Sequence, residues 1–507
     1  MAQHERTVGL HTGIRQESAA AFRVPPDKLA ASGGGSATGG AAPATVSMAE
    51  AFALHAEEVL ANEGYHYGVD VLLDTPYPYR GYDPAEAGFP ENMRTFMYGL
   101  PRHRNGSPAS YDDMIRMYKR RAAQMAAMKA EFRAMVSRGP TFSLGHFYVD
   151  LAVRRHVLAE LAQYGPVIPQ YGAFHSALAD QIKLESPGLY AALVESGNLT
   201  RRRIQAERVL IASNITMFST EAERQMTIQA LTGKKVNGRI LTTEYLEART
   251  LVVPLTIDSD QFSPEDPMQP NRKRNEQRKA FLGEYGIALE DFVIGGVMRL
   301  DAEKGYDEFA RGFIEFLEEF ENLYRDPTSR PRVPKLFIAG GVPNKPGMQE
   351  KYEALLKRIR EFEESHPKYQ GHIIIPNTAF HHGKIANAFD WLVGPSLSET
   401  FHLAPKEANA AGVPVALTNI AAHHETHGHS AIYFDLVKED RNGVFTPDTQ
   451  SIIEVIQRML DPQIRDYYAK AGIINSQRFS KHAVAELLVK DMLSRYPHQF
   501  EHSQTWQ

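Results

Sequence analysis

Two carboxylates, two cations, a histidine cluster and a glycine-rich stretch are the features of this chain whose types and spacing could do chemistry. Glu399 and Glu407 stand eight residues apart in PSLSETFHLAPKEANAAGVPVALTN, Pro395 to Asn419. Taken alone, such a pair describes a solvated loop acid and a surface helix acid, but here it sits inside a full pattern of small, apolar and Pro/Gly positions. Arg299 and Lys304 are five residues apart in GGVMRLDAEKG, between a strand end and a helix. In a cleft, a guanidinium and an ammonium beside a helix N-terminus form a pocket for a diphosphate and match its charge as it departs. His423 and His427 in HHETHGH are four apart, which on a helix would present two metal ligands on one face. The H-E-x-x-H spacing is absent, so the run reads as a polar loop and no metal is expected. No G-x-x-x-x-G-K-[ST] phosphate loop occurs. Residues 30–44, AASGGGSATGGAAPA, hold five glycines and no charge. They describe either a flexible linker or a glycine loop whose backbone N–H groups approach a phosphate.

These residues need elements to hold them, and apolar spacing supplies a regular series. A first strand at Thr7 to His11, the glycine stretch, a helix through Met48, Phe52 and Val59, and a strand at Gly68 to Leu73 open a parallel α/β unit. Prolines and tyrosines then interrupt, and a long helix from Tyr111 to Ser137 carries Met114, Met117, Met125, Met128 and Met135 on one face. This reads as a helical insertion over about residues 77–138, its methionine face buried against its own domain or a twin subunit. Strands at Thr141 to Leu144, Val167 to Tyr171, Ile215 to Ser219 and Leu251 to Pro254 follow, with helices at Val149 to Tyr164, at Arg203 to Ala212 and opening at Thr220. The proline- and charge-rich stretch near residues 257–277 is the domain boundary. A second series runs through strands at Phe292 to Met298, Lys335 to Ala339, Gly371 to Ile375, Trp391 to Val393 and Val413 to Thr418, and closes with helices from about Thr449 to Tyr496. The expected architecture is α/β: residues 1–256 and 257–480 as two facing Rossmann-like domains with a cleft between them, then a C-terminal helix and tail over 481–507. Ligand is expected at the carboxyl ends of the strands.

Composition limits the partners. Among 507 residues, 56 Lys and Arg nearly balance 61 Asp and Glu, for a formal net charge of -5, so no general field favours nucleic acid or an anionic membrane. No stretch approaches the roughly 20 apolar residues of a membrane span, and MAQHERTVGLH lacks the apolar core of a secretory signal. A soluble, cytoplasmic protein is expected. With no cysteine, thiolate chemistry, disulfides and iron–sulfur ligation are excluded.

The Glu399–Glu407 segment resembles the signature of retaining glycosyltransferases of the GT-B fold, glycosyltransferase family 4 in particular, and that family also has an Arg and a Lys at the places of Arg299 and Lys304. The N-terminal half resembles the branch containing sucrose-phosphate synthase, sucrose synthase and mannosylfructose-phosphate synthase. Val8 to Arg15 (VGLHTGIR) is similar to that branch's first strand and Thr38-Gly39-Gly40 to its phosphate-binding turn. Gly145 to Asp150 (GHFYVD) is similar to its G-H-Y-x-D. Tyr171 to Ser176 (YGAFHS) ends like its T-G-H-S, Arg203 to Glu207 (RIQAE) is similar to R-I-E-A-E, and Val253 to Asp258 (VPLTID) to P-x-G-I-D. The resemblance spans about residues 7 to 480, apart from the insertion. There are departures. The family's E-G-F-G-L-P is Glu399-Thr400-Phe401-His402-Leu403-Ala404 here, which sets a side chain where donor phosphates or sugar would pass. Ala41-Ala42-Pro43 follows the glycine turn in place of the branch's Gln and helix, so either Gly39-Gly40 or Gly33-Gly34-Gly35 is the contact.

The resemblance implies transfer of a hexose, glucose first, from a nucleotide-diphosphate sugar to a hydroxyl of a small sugar or sugar phosphate, with retention at C1. UDP-glucose is the first donor to consider, with GDP- and ADP-sugars as alternatives, and no resident cofactor is needed. Arg299 and Lys304 would neutralise the diphosphate, aided by backbone amides of Thr400, Phe401, His402 and Leu403 and by Gly39 and Gly40. Glu407 would hold the ribose hydroxyls, Glu399 would sit at the donor sugar, and His175 would face the sugar from the acceptor side. The alternative is a non-catalytic nucleotide-sugar sensor or assembly subunit, for which the lost glycines and the Met-rich insertion are the motive.

Overall fold

The computed structural model describes residues 7–13, 41–75, 91–97, 141–146, 170–173, 179–185, 190–191, 194–195, 201–257, 278, 281–326, 328–343, 347–378, 388–438 and 445–501. The methionine-striped helix, the helix expected at 149–164 and the boundary stretch 258–277 lie outside the described residues. The chain divides into two compact units, Met1–Thr256 with Lys481–Gln507, and Ile257–Ser480. Among the described residues no helix is long and apolar enough to cross a membrane.

In the first unit, β1 (Thr7–Gly13), β2 (Gly68–Thr75), β3 (Met93–Met97), β4 (Thr141–His146), β5 (Gln170–Ala173), β6 (Ile215–Phe218) and β7 (Thr250–Val252) form one sheet. Its order is β3-β2-β1-β4-β5-β6-β7, and every neighbouring pair is parallel. The edge strand β3 lies within the stretch read as a helical insertion. Its five residues, MRTFM, are too short for their period to announce a strand, and pairing with β2 decides them. Helix α1 (Ala41–Asn62) starts directly after Gly40, and Pro43 is tolerated because first-turn N–H groups have no helical partner. It buries Met48, Phe52, Ala56 and Val59, one helical stripe. The helix Lys481–Arg495 adds Val484, Leu488 and Met492 to the same core. Lys481 also pairs with buried Glu50 of α1 at 2.9 Å, so the C-terminal segment belongs to this unit. The helix Glu221–Leu231 opens as its sequence indicated, Thr220 accepting from the Glu223 N–H while the Glu223 carboxylate accepts from the Ser219 N–H.

The second unit is built from β8 (Val293–Val297), β9 (Lys335–Ala339), β10 (Ile373–Ile374), β11 (Trp391–Gly394), β12 (Val415–Thr418) and β13 (Ala431–Phe434). They are all parallel, in the order β10-β9-β8-β11-β12-β13. Helix α2 (Tyr306–Leu323) inserts Phe309, Phe313, Phe316 and Phe320 into the core at spacings of four, three and four. Each such ring stabilises the fold by roughly 1.5–3 kcal/mol of burial. The indole of fully buried Trp391 donates to the Met459 carbonyl at 3.0 Å and fastens β11 to the helix Thr449–Met459. Strand β13 was not expected; AIYF is a short apolar run that only its pairing with β12 distinguishes from a loop. In this order the direction of winding reverses between β8 and β11, which creates a ligand crevice at their carboxyl ends.

Candidate active site

Both sequence segments singled out above leave the sheet at that reversal. β8 and β11 run side by side, Gly296 opposite Val393, and Met298 to Gly305 follows the first while Pro395 to His402 follows the second. Gly305 adopts φ +61, and a Cβ there would lie 2.1 Å from the Pro395 carbonyl oxygen. Only glycine lets the two loops touch at this point. The Leu397 N–H then donates to the Glu303 carbonyl at 2.9 Å.

That contact brings Lys304 to Glu399. Its ammonium donates to Glu399 Oε1 at 2.5 Å, with the two side chains 15% and 11% exposed. The Ser396 hydroxyl donates to the same oxygen at 2.8 Å, and His402 Nδ1 lies 3.7 Å from it. Every recorded contact of Glu399 converges on Oε1; among the described residues Oε2 has no partner. Burial works against ionisation of this carboxyl, yet the neighbouring His402 and the Lys304 charge and hydrogen bond outweigh it and hold the pKa down at about 2.

Helix α3 (Leu403–Ala410) begins about one turn before Glu407 and carries it half-buried, with no side-chain partner among the described residues. Burial alone pushes its pKa up to about 7. Thr400 and Leu403 are half-buried at the start of this helix, and Phe401 is buried edge-on against Phe479, 5.4 Å between centroids. First-turn N–H groups of α3 lack intrahelical acceptors and are free to meet an anion.

Arg299 does not join the pair. It is 45% exposed and engages its own turn, Glu303 at 2.8 Å and Asp301 at 3.6 Å. Gly39, Gly40 and His175 lie outside the described residues.

Two expectations need correction. HHETHGH is not a polar loop: His423 and His427 lie on helix α4 (Ala421–His427) and are 0% and 1% exposed. Both rings are fully engaged. His423 Nδ1 is 2.9 Å from the Thr418 carbonyl and its Nε2 is 3.2 Å from His402 Nδ1. His427 Nδ1 is 3.0 Å from Asn409 Oδ1, and its Nε2 accepts from Lys406 at 3.1 Å. Second, the His402 side chain does not project from its loop but is buried, 8% exposed. It turns inward, stacked on His423 with centroids 5.4 Å apart, into a notch that a Gly394 Cβ would fill at 2.7 Å from its ring.

The buried polar residues Lys406, Asn409, Thr418 and Ser396 escaped sequence reasoning. Lys406 is 1% exposed, its ammonium over the rings of Phe401 and Phe479 at 4.3 and 5.0 Å. A signal existed: His402 and Lys406 are four apart, as are His423 and His427, so each pair shares a helical side. Burial depresses all four groups, His402 to about 3, His423 to about 4, and Lys406 and His427 well below their ordinary values.

Comparison with known proteins bears on this arrangement. None of the curated proteins compared with it matches the chain. Among solved structures, sucrose-phosphate synthase from Thermosynechococcus elongatus superposes with a TM-score of 0.60 at 15% identity, over 97% of this chain and 100% of that one. Anabaena HepE, in complex with UDP and glucose, gives 0.58 at 14% identity over 96% and 99%. An α,α-trehalose-phosphate synthase (UDP-forming) from Burkholderia xenovorans, in complex with glucose-6-phosphate, gives 0.58 at 14% identity over 96% and 99%. Residues 293–462, the segment holding Lys304, Glu399 and Glu407, match the family described as glycosyl transferases group 1. The chain therefore has the α/β architecture of the GT-B glycosyltransferases, with a glycosyl transferases group 1 match centred on the crevice between β8 and β11.

Proposed function

We propose that this chain is a retaining glycosyltransferase that moves a hexose, glucose first, from a nucleotide-diphosphate sugar to a hydroxyl of a small sugar or sugar phosphate. One observation carries the reading: at the reversal of a Rossmann-order sheet, Lys304 and Glu399 are joined while, among the described residues, Glu399 Oε2 and the Glu407 carboxylate have no partner. Unpaired carboxylate oxygens in a crevice are acceptors waiting for hydroxyl groups, and sugar and ribose both supply them.

In this reading Lys304, with Arg299 turned from Glu303, neutralises the departing diphosphate together with the first amides of α3. Glu407 accepts from the ribose hydroxyls. Glu399, an anion at neutral pH, binds donor-sugar hydroxyls and stabilises the positive charge that grows at C1. The acceptor oxygen attacks C1 on the face that the diphosphate leaves; the C1–O bond to phosphate breaks, and the acceptor proton passes to the departing phosphate oxygen. Configuration is kept without a covalent enzyme intermediate. His175, Gly39 and Gly40 enter on the acceptor side and at the phosphates respectively. The nucleotide sugar is a co-substrate, and no resident cofactor is required. The inward pose of His402 favours turnover over a sensor role, because one of the two replaced glycines then leaves the loop surface clear of its side chain.

The test incubates the whole chain with UDP-, GDP- and ADP-glucose, with and without a panel of sugars and sugar phosphates. It follows nucleoside diphosphate release and the anomeric proton of the product. Acceptor-dependent release with an α-linked product is expected. Thermal stabilisation by a donor without any release would make the protein a sensor, and an inverted product would overturn retention.

A further inference from the structure

The buried histidines pose a question that the proposed transfer does not answer: two imidazoles and a threonine occupy the space behind Glu399, although none is needed to touch substrate. Their hydrogen bonds form a chain whose two ends both come to Glu399. The Thr418 hydroxyl donates to the Ser396 carbonyl at 2.5 Å, and the Ser396 hydroxyl donates to Glu399 Oε1. His423 Nδ1 faces the Thr418 carbonyl at 2.9 Å and the Thr418 hydroxyl oxygen at 3.2 Å. His423 Nε2 meets His402 Nδ1 at 3.2 Å, and the same His402 nitrogen lies 3.7 Å from Glu399 Oε1, an electrostatic contact longer than a hydrogen bond.

Only one placement of protons satisfies this chain. A carbonyl can only accept, and the Thr418 hydroxyl proton is already given to Ser396, so His423 Nδ1 must carry hydrogen. Both imidazoles are buried and held neutral, so His423 Nε2 is then an acceptor. His402 Nδ1 must therefore carry hydrogen as well, and the positive end of that N–H lies beside the Glu399 carboxylate. The opposite arrangement would set a lone pair against the Thr418 carbonyl at one end and another against Glu399 at the other.

We propose that His402 and His423 are positioning residues for Glu399, their Nδ1–H tautomers dictated by the Thr418 carbonyl, which together hold Oε1 inward and leave Oε2 to meet the donor sugar. Glu399 Oε1 accepts hydrogen bonds from Lys304 and Ser396, and the His402 Nδ1–H dipole lies 3.7 Å away, so turning this oxygen outward breaks the two bonds and loses the dipole. The inference rests on the proposed role of Glu399 at the donor sugar, but the tautomers can be measured without it.

Two experiments test the proposal. Nitrogen-15 histidine NMR on the whole chain, with resonances assigned through His402→Gln and His423→Leu, is expected to show both rings neutral and Nδ1-protonated from pH 7 down to pH 5. An Nε2–H tautomer or a charged ring at either position would overturn it. Kinetics with UDP-glucose then separate positioning from packing. His423→Leu keeps the buried bulk and loses the acceptor, so kcat should fall about tenfold with the donor KM within about twofold. His423→Gln, whose amide oxygen can accept from His402, should recover to within about threefold of wild type. Equal losses in Leu and Gln variants, in step with melting temperature, would reduce both histidines to filler. Should wild type turn over no donor at all, the proposed activity fails and the tautomers alone decide this inference.

Discussion

The two central strands of the second unit carry a buried ion pair at each end, and the ends differ in what they leave over. At the amino ends, Arg278 pairs with Asp390 at 2.9 Å, the side chains 5% and 12% exposed. Asp390 Oδ2 also accepts from the N–H of Val293, the first residue of β8, and Arg465 reaches Oδ1 at 3.7 Å. Arg278 donates in turn to the Asp291 carbonyl. At the carboxyl ends, Lys304 and Glu399 are about as buried, but among the described residues Oε2, two ammonium protons and the Glu407 carboxylate have no partner. Burial and pairing are alike at the two ends. Among the described residues the amino end leaves over only a buried donor, Arg278 Nε, whereas the carboxyl end leaves carboxylate acceptors, which is the difference that the proposed sugar site needs.

The sharpest way to break the comparison is to break the amino-end pair. Asp390→Ala leaves the Arg278 charge buried and the Val293 N–H unpaired, and should cost about 3–5 kcal/mol of stability. Thermal unfolding reads this directly; a melting temperature within a degree of wild type would mean the pair is not structural.

Next in size, Lys304→Ala should cost less stability than Asp390→Ala, because Ser396 still donates to Glu399 Oε1 and the carboxyl left without its cation can take up a proton. Turnover should drop by about 2–4 kcal/mol of transition-state stabilisation, since the charge acts on the departing diphosphate. Steady-state kinetics on the folded variant is the check, and activity within about twofold would remove Lys304 from the site.

Glu407→Gln sharpens the contrast, because function and stability should move in opposite directions. With its pKa raised from 4.5 to about 7, the folded state holds a proton that the unfolded state has lost. The associated stability is fully present below about pH 4.5 and lost as pH rises through 7. Glutamine removes that cost, so the variant should be more stable than wild type at pH 8 by about 1–3 kcal/mol and equal to it near pH 4. Its donor KM should rise about tenfold with kcat little changed, as a contact made equally in ground and transition states requires. Glu399 has the opposite sign: held at about 2, it contributes stability above pH 4.5 that is lost as pH falls through 2. A higher melting temperature at pH 4 than at pH 8 for Glu407→Gln relative to wild type would contradict the assignment.

The smallest effect is expected at Arg299, whose exposed pairing with Glu303 adds little to the fold. Arg299→Ala should change stability by less than about 0.5 kcal/mol while weakening UDP binding severalfold by calorimetry. Unchanged binding would leave Lys304 as the cation of the site.

Much of the second unit was legible in advance because its strands are buried on both faces and read as continuous apolar runs, as in FVIGGVM and KLFIA. Lys335–Ala339 was placed to the residue, and the loop and helix that carry Glu399 and Glu407 were found from the motif. β3 and β13 were missed because four or five residues are too few to show a period, and a neighbouring strand must decide them. The histidine run was misread for a related reason: four imidazoles look polar in a sequence, and only a partner for each ring nitrogen allows two of them to be buried.

By itself, then, the sequence determined most of the succession of strands and helices seen among the described residues, the absence of thiol chemistry and the residue types at the head of two loops. Local spacing carries that information, because propensity and apolar period act within a dozen residues. Only the tertiary structure decided that Lys304 meets Glu399 across 95 residues, through a parallel sheet whose order reverses between them and a glycine that lets two loops touch. The same holds for the inward turn of His402, which needs the notch over Gly394 and the ring of His423. A side chain's direction depends on which neighbours accept its hydrogens, and those neighbours come from other strands.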